Sequence, residues 1–203
     1  DGAWGYWRAL YPMRPELLPQ TQMLLDVAVE CCTYIGMRFK HAYAGLRPYE
    51  LSPEVQPLIP TPGHASFPMG HAAQNFAVAA LLAYIVRGLT KTPANLAPFV
   101  ASAFRLAHRV SENRVIAGVH FPVDHYGGAI LGITIAKVVW CLANGRAPDT
   151  MTRVPTLPTV GDYMKDEDVR AWSEAQKLGA SATDCETLTT CLTVVKKEWA
   201  RFS

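Results

Sequence analysis

Residues 126–143 carry a single charged side chain, Lys137, in an otherwise almost wholly apolar run. A run of that length is either a bilayer-spanning helix or a buried helix of a packed bundle. Two features favour the bundle. A lysine near the centre of the run opposes lipid, and Gly127, Gly128 and Gly132 let a neighbouring helix approach closely. With 203 residues, half of them apolar, the chain is long enough to bury a full core in one domain.

The rest of the chain repeats helical spacing. In residues 24–43 the apolar positions Leu24, Val27, Ala28, Cys31, Ile35 and Phe39 recur at three and four, which predicts a helix with that stripe inward. Further helices are predicted over 71–86, with Gly70 just before the start, and over 97–110, 124–142, 165–178 and 184–199. Between the first two, residues 47–68 hold Pro48, Pro53, Pro57, Pro60, Pro62 and Pro68, too many for a regular element. So long an irregular stretch in a compact domain points to function or mobility. Strand-like alternation is nearly absent, so the expected class is all-α, a helical bundle. The expected organisation is a single helical domain over 1–203. Its catalytic core spans about 20–144, and a C-terminal helical extension over 145–203 begins where Pro148, Pro155 and Pro158 mark a connector.

A formal charge of +2 leaves no basic stripe for nucleic acid and no acidic tail. The partners expected are a small-molecule or lipid phosphate, or halide and peroxide, and a homo-oligomer is compatible with the chain. The chain opens at Asp1 without a basic segment and hydrophobic run of the signal-peptide kind. Five cysteines fit no metal pattern. Cys185 and Cys191 suit either a disulfide in an oxidising compartment or two free thiols.

Three clusters carry the chemistry. In the first, Lys40 and Arg47 stand seven apart at a helix end, about two turns, so both can lean to one face; alone, such a pair is usually a solvated surface. In the second, Gly70 and His71 open a helix, where free N–H groups attract an anion, though a plain capping glycine reads the same way. In the third, Arg114 precedes His120, and Asp124 follows His120 by four. A carboxylate there can take the Nδ1 proton and leave Nε2 free as nucleophile or base, although His and Asp also meet for structural reasons. Together the clusters hold three cations, a helix N-terminus and two histidines, the inventory of a phosphoryl-transfer site.

The arrangement resembles the type 2 phosphatidic acid phosphatase (PAP2) and vanadium haloperoxidase superfamily, whose signature runs K-x6-RP, PSGH, SR-x5-H-x3-D. Here the segments read Lys40-x6-Arg47-Pro48, Pro68-Met69-Gly70-His71 and Asn113-Arg114-x5-His120-x3-Asp124. The resemblance implies a helical bundle of that type in which Lys40, Arg47, Arg114 and the Gly70 N–H hold an oxyanion. In a phosphatase, which needs no cofactor, His120 attacks phosphorus to form a phosphohistidine, Asp124 orients it and His71 protonates the leaving group. In a haloperoxidase His120 ligates vanadate, the cofactor of that activity, and His71 assists peroxide binding. The short intervals between the clusters favour the phosphatase. The bundle reading of residues 126–143 makes a soluble protein the expectation, and the resemblance together with the Cys185 and Cys191 pair implies an extracytoplasmic one, periplasmic or secreted.

Met69 and Asn113 stand where the family has serine. A thioether donates no hydrogen bond, so one contact to the oxyanion is lost, worth roughly 1.5–3 kcal/mol. That substitution also motivates a third reading, a non-catalytic anion-binding module. Of the remaining histidines, His64 lies in the proline-rich loop near the second cluster, where it either lines the mouth of the site or, the favoured reading, is an ordinary loop residue. His41 and His125 are read as pointing away from the motifs, and His108 as a core or surface residue. Phe67 and Phe121, flanking the two motif histidines, are expected to wall the pocket, or to form the halide pocket in the haloperoxidase reading.

Overall fold

The computed structural model describes residues 4–10, 13–89, 96–148, 170–173, 181–183 and 185–202. Its helices are α1 (Trp4–Trp7), α2 (Pro19–Tyr43), α3 (Pro48–Leu51), α4 (Gly70–Arg87), α5 (Leu96–Ile116), α6 (Pro122–Ala143) and α7 (Glu186–Trp199), followed by a 3-10 turn over Ala200–Phe202. No strand occurs among the described residues; an isolated bridge joins Arg146 to Ala182. The class is all-α. Of the predicted helix 165–178 only 170–173 are described, and these are helical.

The central helix is α4, which packs against α2, α5, α6 and α7. From Ala72 to Val86 nearly every residue is buried, so the helix is apolar on all sides, as expected of a bundle's axis. The apolar run falls in α6, whose main partner is α4. Glycines make that contact close. A methyl group at Gly132 would collide with the Ala73 carbonyl, and one at Gly128 with the Met69 carbonyl. In length and composition α6 is sufficient to cross a membrane, yet 61% of its apolar window is buried inside the protein.

The predicted face of α2 is largely inward, with Leu24 and Ala28 buried and Val27, Cys31 and Ile35 packed against the core, but the buried face is centred slightly to one side of it. The helix buries Leu24, Leu25, Ala28, Cys32, Gly36 and Lys40, while Phe39 is 41% exposed. The inward stripe ends on a lysine rather than a phenylalanine because this face must also build the pocket described below. Helix α5 runs six residues beyond its predicted end. Ser111 returns its hydroxyl to the Ala107 carbonyl at 2.8 Å, which lets a polar residue sit inside the helix. The stop comes at Gly118, whose φ of +73° suits glycine. The extension places Arg114 on the last helical turn.

Helix α2 has no side-chain cap of its own at Leu18. Glu198, from α7, supplies it from across the bundle. Its carboxylate accepts the N–H groups of Gln20 (2.8 Å) and Thr21 (2.9 Å) and the Thr21 hydroxyl (2.7 Å). A buried carboxylate on free N–H groups at a positive helix end satisfies both. All five cysteines are free thiols, so the Cys185–Cys191 disulfide does not form; Cys191 instead turns its Sγ toward the Gln20 carbonyl at 3.6 Å.

Candidate active site

Five elements bring the three motif clusters together. Lys40 comes from the end of α2, Arg47 from the residue before α3, Gly70 and His71 from the first turn of α4, and Arg114 from the last turn of α5. His120 lies in the loop before α6 and Asp124 in that helix's first turn. A cavity of about 180 Å³ is lined by Lys40, Gly70, His71, Arg114 and His120. Arg47 does not line it but stands behind His120, its Nη1 3.3 Å from His120 Nε2.

The start of α6 fixes the geometry around His120. Pro122 occupies the first helical turn, and Asp124 accepts the Phe121 N–H at 2.9 Å. The same carboxylate oxygen accepts His120 Nδ1 at 3.1 Å and the Ser66 hydroxyl. A guanidinium can only donate, so the Arg47 contact requires a lone pair at His120 Nε2 and a proton at Nδ1. Burial lowers the His120 pKa, against the opposing pull of Asp124. For Asp124, burial acts to raise the pKa, but hydrogen bonds from His120, Ser66 and the Phe121 N–H hold it below the usual range. The pair is therefore a carboxylate and a neutral imidazole with its Nε2 lone pair toward Arg47 and the cavity.

The same reasoning applies to His71. Arg114 NH2 lies 2.6 Å from His71 Nε2, which must accept and so carries no proton there. Burial, then Arg114, His120, Lys40 and Arg47, push its pKa down to about 4. Asn75 fixes the turn by donating from Nδ2 to the His71 carbonyl at 2.8 Å, and is itself held by the Trp7 indole N–H at 2.9 Å.

Lys40 and Arg47 also hold the proline-rich loop. Lys40 Nζ donates to the carbonyls of Ala65 (2.7 Å) and Ser66 (2.8 Å). Arg47 donates to the carbonyls of His64 (3.0 Å) and Val119 (2.6 Å). Both are almost fully buried, at 3% and 1% exposure, which rules out the solvated-surface reading for the pair. Burial and the neighbouring Arg47 lower the Lys40 pKa to about 8.

Several residues sit elsewhere than the sequence suggested. His64 lines the cavity, and its Nδ1 lies 3.2 Å from Arg47 NH2. Phe67 is not a wall of the cavity: it packs edge-on against Tyr43 at 5.4 Å and against Gly127. Phe121 likewise does not line it and contributes its backbone N–H to Asp124. Met69 is fully buried among core residues, so its side chain fills the core rather than facing an anion. Asn113 lines a neighbouring cavity of about 420 Å³ that shares His71 and Arg114 with the first. His41 borders another, of about 410 Å³. His125 turns into the core against Phe76 and His108. Sequence reasoning missed Ser66, which is 1% exposed; the available signal was its place between the loop and the Phe67-Pro68 step into α4.

The profile of the PAP2 superfamily matches residues 22–148, more than half of the chain. The match runs from α2 through α6 and takes in every motif residue named above. A comparison with curated proteins returns no match.

Proposed function

The chain belongs to the PAP2 superfamily, which covers phosphatases and haloperoxidases, and we propose that it is a phosphatase hydrolysing a phosphate monoester through a phosphohistidine. The observation that carries this reading is the state of His120. Its Nδ1 is tied to Asp124, and its Nε2 lone pair is presented beside a cavity edged by cations.

In this mechanism the phosphoryl group enters the cavity and its oxygens take the spare donors of Lys40 and Arg114, the free N–H groups at Gly70 and the Arg47 N–H that otherwise points at His120 Nε2. His120 Nε2 attacks phosphorus, and the bond to the ester oxygen breaks as His71 gives that oxygen a proton. Asp124 stabilises the charge gained by the His120 ring. Water, deprotonated by His71, then attacks the phosphohistidine, releasing phosphate and restoring both histidines. The side chain at Met69 takes no part, so the cradle has one hydroxyl donor fewer than the family pattern.

The test is direct. A quenched reaction with a labelled phosphomonoester gives an acid-labile, base-stable phosphoprotein. His120→Ala abolishes both label and turnover. Full turnover in His120→Ala overturns the mechanism, and turnover without label removes the covalent step.

One observation favours a second reading. His64 is a third imidazole in the cavity wall, beside His71 and His120, and the phosphatase mechanism assigns it no task. The cations and the His120 Nε2 lone pair also fit vanadate, which when bound supplies the activation of peroxide for halide oxidation. His120 would hold it, Lys40, Arg47 and Arg114 would balance its charge, and His64 or His71 would accept a proton from peroxide. Bromination of a dye by vanadate-loaded protein, with no phosphatase activity, selects this reading.

A further inference from the structure

The motif residues occupy one end of the 180 Å³ cavity; the rest of its wall has a distinct order. On α2 the lining residues are Lys40, Met37, Gly36, Thr33 and Cys32, one face of the helix read backwards over about two turns. On α4 they are Gly70, His71 and Gln74, read forwards. The cavity is thus a trench between α2 and α4. It runs from the anion cradle, past His71, to Thr33 and Gln74 at the rim.

The rim pair is oriented. Thr33 donates its hydroxyl hydrogen to the Val29 carbonyl at 3.0 Å, so toward Gln74 it can only accept. Gln74 Nε2 donates to Thr33 Oγ1 at 2.9 Å. That bond fixes which way the amide faces and turns Oε1 away from Thr33. Among the described residues Oε1 has no hydrogen-bond partner. Gly36 lies along the trench, and Met37, Ile59, Pro60 and Pro62 provide apolar walls.

We infer that Gln74, oriented by Thr33, is the specificity residue for the leaving group: its Oε1 accepts a hydrogen bond from a hydroxyl on a short alcohol, so the substrates are phosphomonoesters of small hydroxylated alcohols. This rests on the phosphatase reading. The order of residues along α4 supports it. Gly70 meets the phosphoryl oxygens, His71 the ester oxygen, and Gln74, one turn further, a hydroxyl a few atoms down the alcohol. The short trench does not suit a long acyl chain.

The test compares glycerol 1-phosphate, which has the hydroxyl, with propyl phosphate, which lacks it. The native protein should favour glycerol 1-phosphate by about fivefold in KM, the value of one neutral hydrogen bond, with similar kcat. Gln74→Met removes the acceptor and should erase that preference by raising KM for the diol ester alone. Thr33→Val releases the amide and should narrow the gap in part. Equal KM values in the native protein, or a preference that survives Gln74→Met, overturns the inference. If neither ester is hydrolysed the phosphatase reading fails, and calorimetric binding of the two esters against inorganic phosphate then decides the subsite. A Gln74-dependent preference for the diol upholds it, and equal affinities overturn it. A preference for p-nitrophenyl phosphate lost on Tyr6→Ala but not on Gln74→Met would place the leaving group in the neighbouring cavity beside Tyr6 and Leu106, and would also overturn it.

Discussion

Arg114 donates to Nε2 of His71 over 2.6 Å, so the imidazole assigned to protonate a leaving group carries no proton at that nitrogen in the free protein. Burial and the surrounding cations depress its pKa to about 4. A phosphate dianion reverses both conditions, because it draws Arg114 to its own oxygens and neutralises the repulsion felt by a protonated ring. The expected outcome is that saturating inorganic phosphate raises the His71 midpoint by more than one unit in a histidine NMR titration. An unchanged midpoint would remove His71 from the role of acid.

Acid should weaken the fold through two histidines. His71 is held at about 4 and His125 at about 3, both mainly by burial, against an ordinary value of 6.5. Between these limits the unfolded chain binds more protons than the folded one, so stability is complete above pH 6.5 and falls as pH drops toward 4 and then 3. His125 is 2% exposed and its Nε2 has no hydrogen-bond partner among the described residues, so the ring packs as a small aromatic against Phe76 and His108. His125→Phe should raise the melting temperature more at pH 4.5 than at pH 7.5. An equal change at both pH values would dismiss its part in the acid response.

Ser66 donates to the Asp124 oxygen that also receives His120 Nδ1. Removing that bond should let the Asp124 pKa rise, since the hydroxyl is one of the contacts holding it down. For Ser66→Ala we expect kcat to fall about tenfold, the scale of a hydrogen bond to a charged group, with KM little changed. The acid limb of the pH profile should move to higher pH. A drop in kcat with an unmoved acid limb would make Ser66 a packing residue.

Met69 is fully buried. Met69→Ser removes a core side chain and sets a hydroxyl among apolar groups, so a loss of about 2–4 kcal/mol is expected in urea unfolding. Met69→Leu keeps the volume and should change stability by less than about 1.5 kcal/mol. A Met69→Ser protein as stable as the native one would place the side chain in the cavity after all.

Much of this protein is legible in its residues alone. The helical spacing of α2, α4, α5 and α6 and the missing strand alternation follow from local pattern, because helix formation depends on neighbours three and four positions away. The glycines of α6 likewise announce a close helix contact. The spacing of Lys40, Arg47, Gly70, His71, Arg114, His120 and Asp124 matches a family signature, and the structure brings these residues to one place.

Tertiary structure alone decided the remainder. Hydrophobicity phased the inward face of α2 only in part, since the buried stripe ends in Lys40, whose ammonium is held by carbonyls twenty-five and twenty-six residues away. Gln74 carries no local mark of function and Ser66 only its place before the Phe67-Pro68 step; their partners come from other segments. Phe67 and Phe121 were misplaced for the converse reason, since adjacency in sequence does not say which way a ring turns. Periodicity is a short-range property that a chain displays by itself. A hydrogen bond between distant segments exists only once the chain has been folded back on itself.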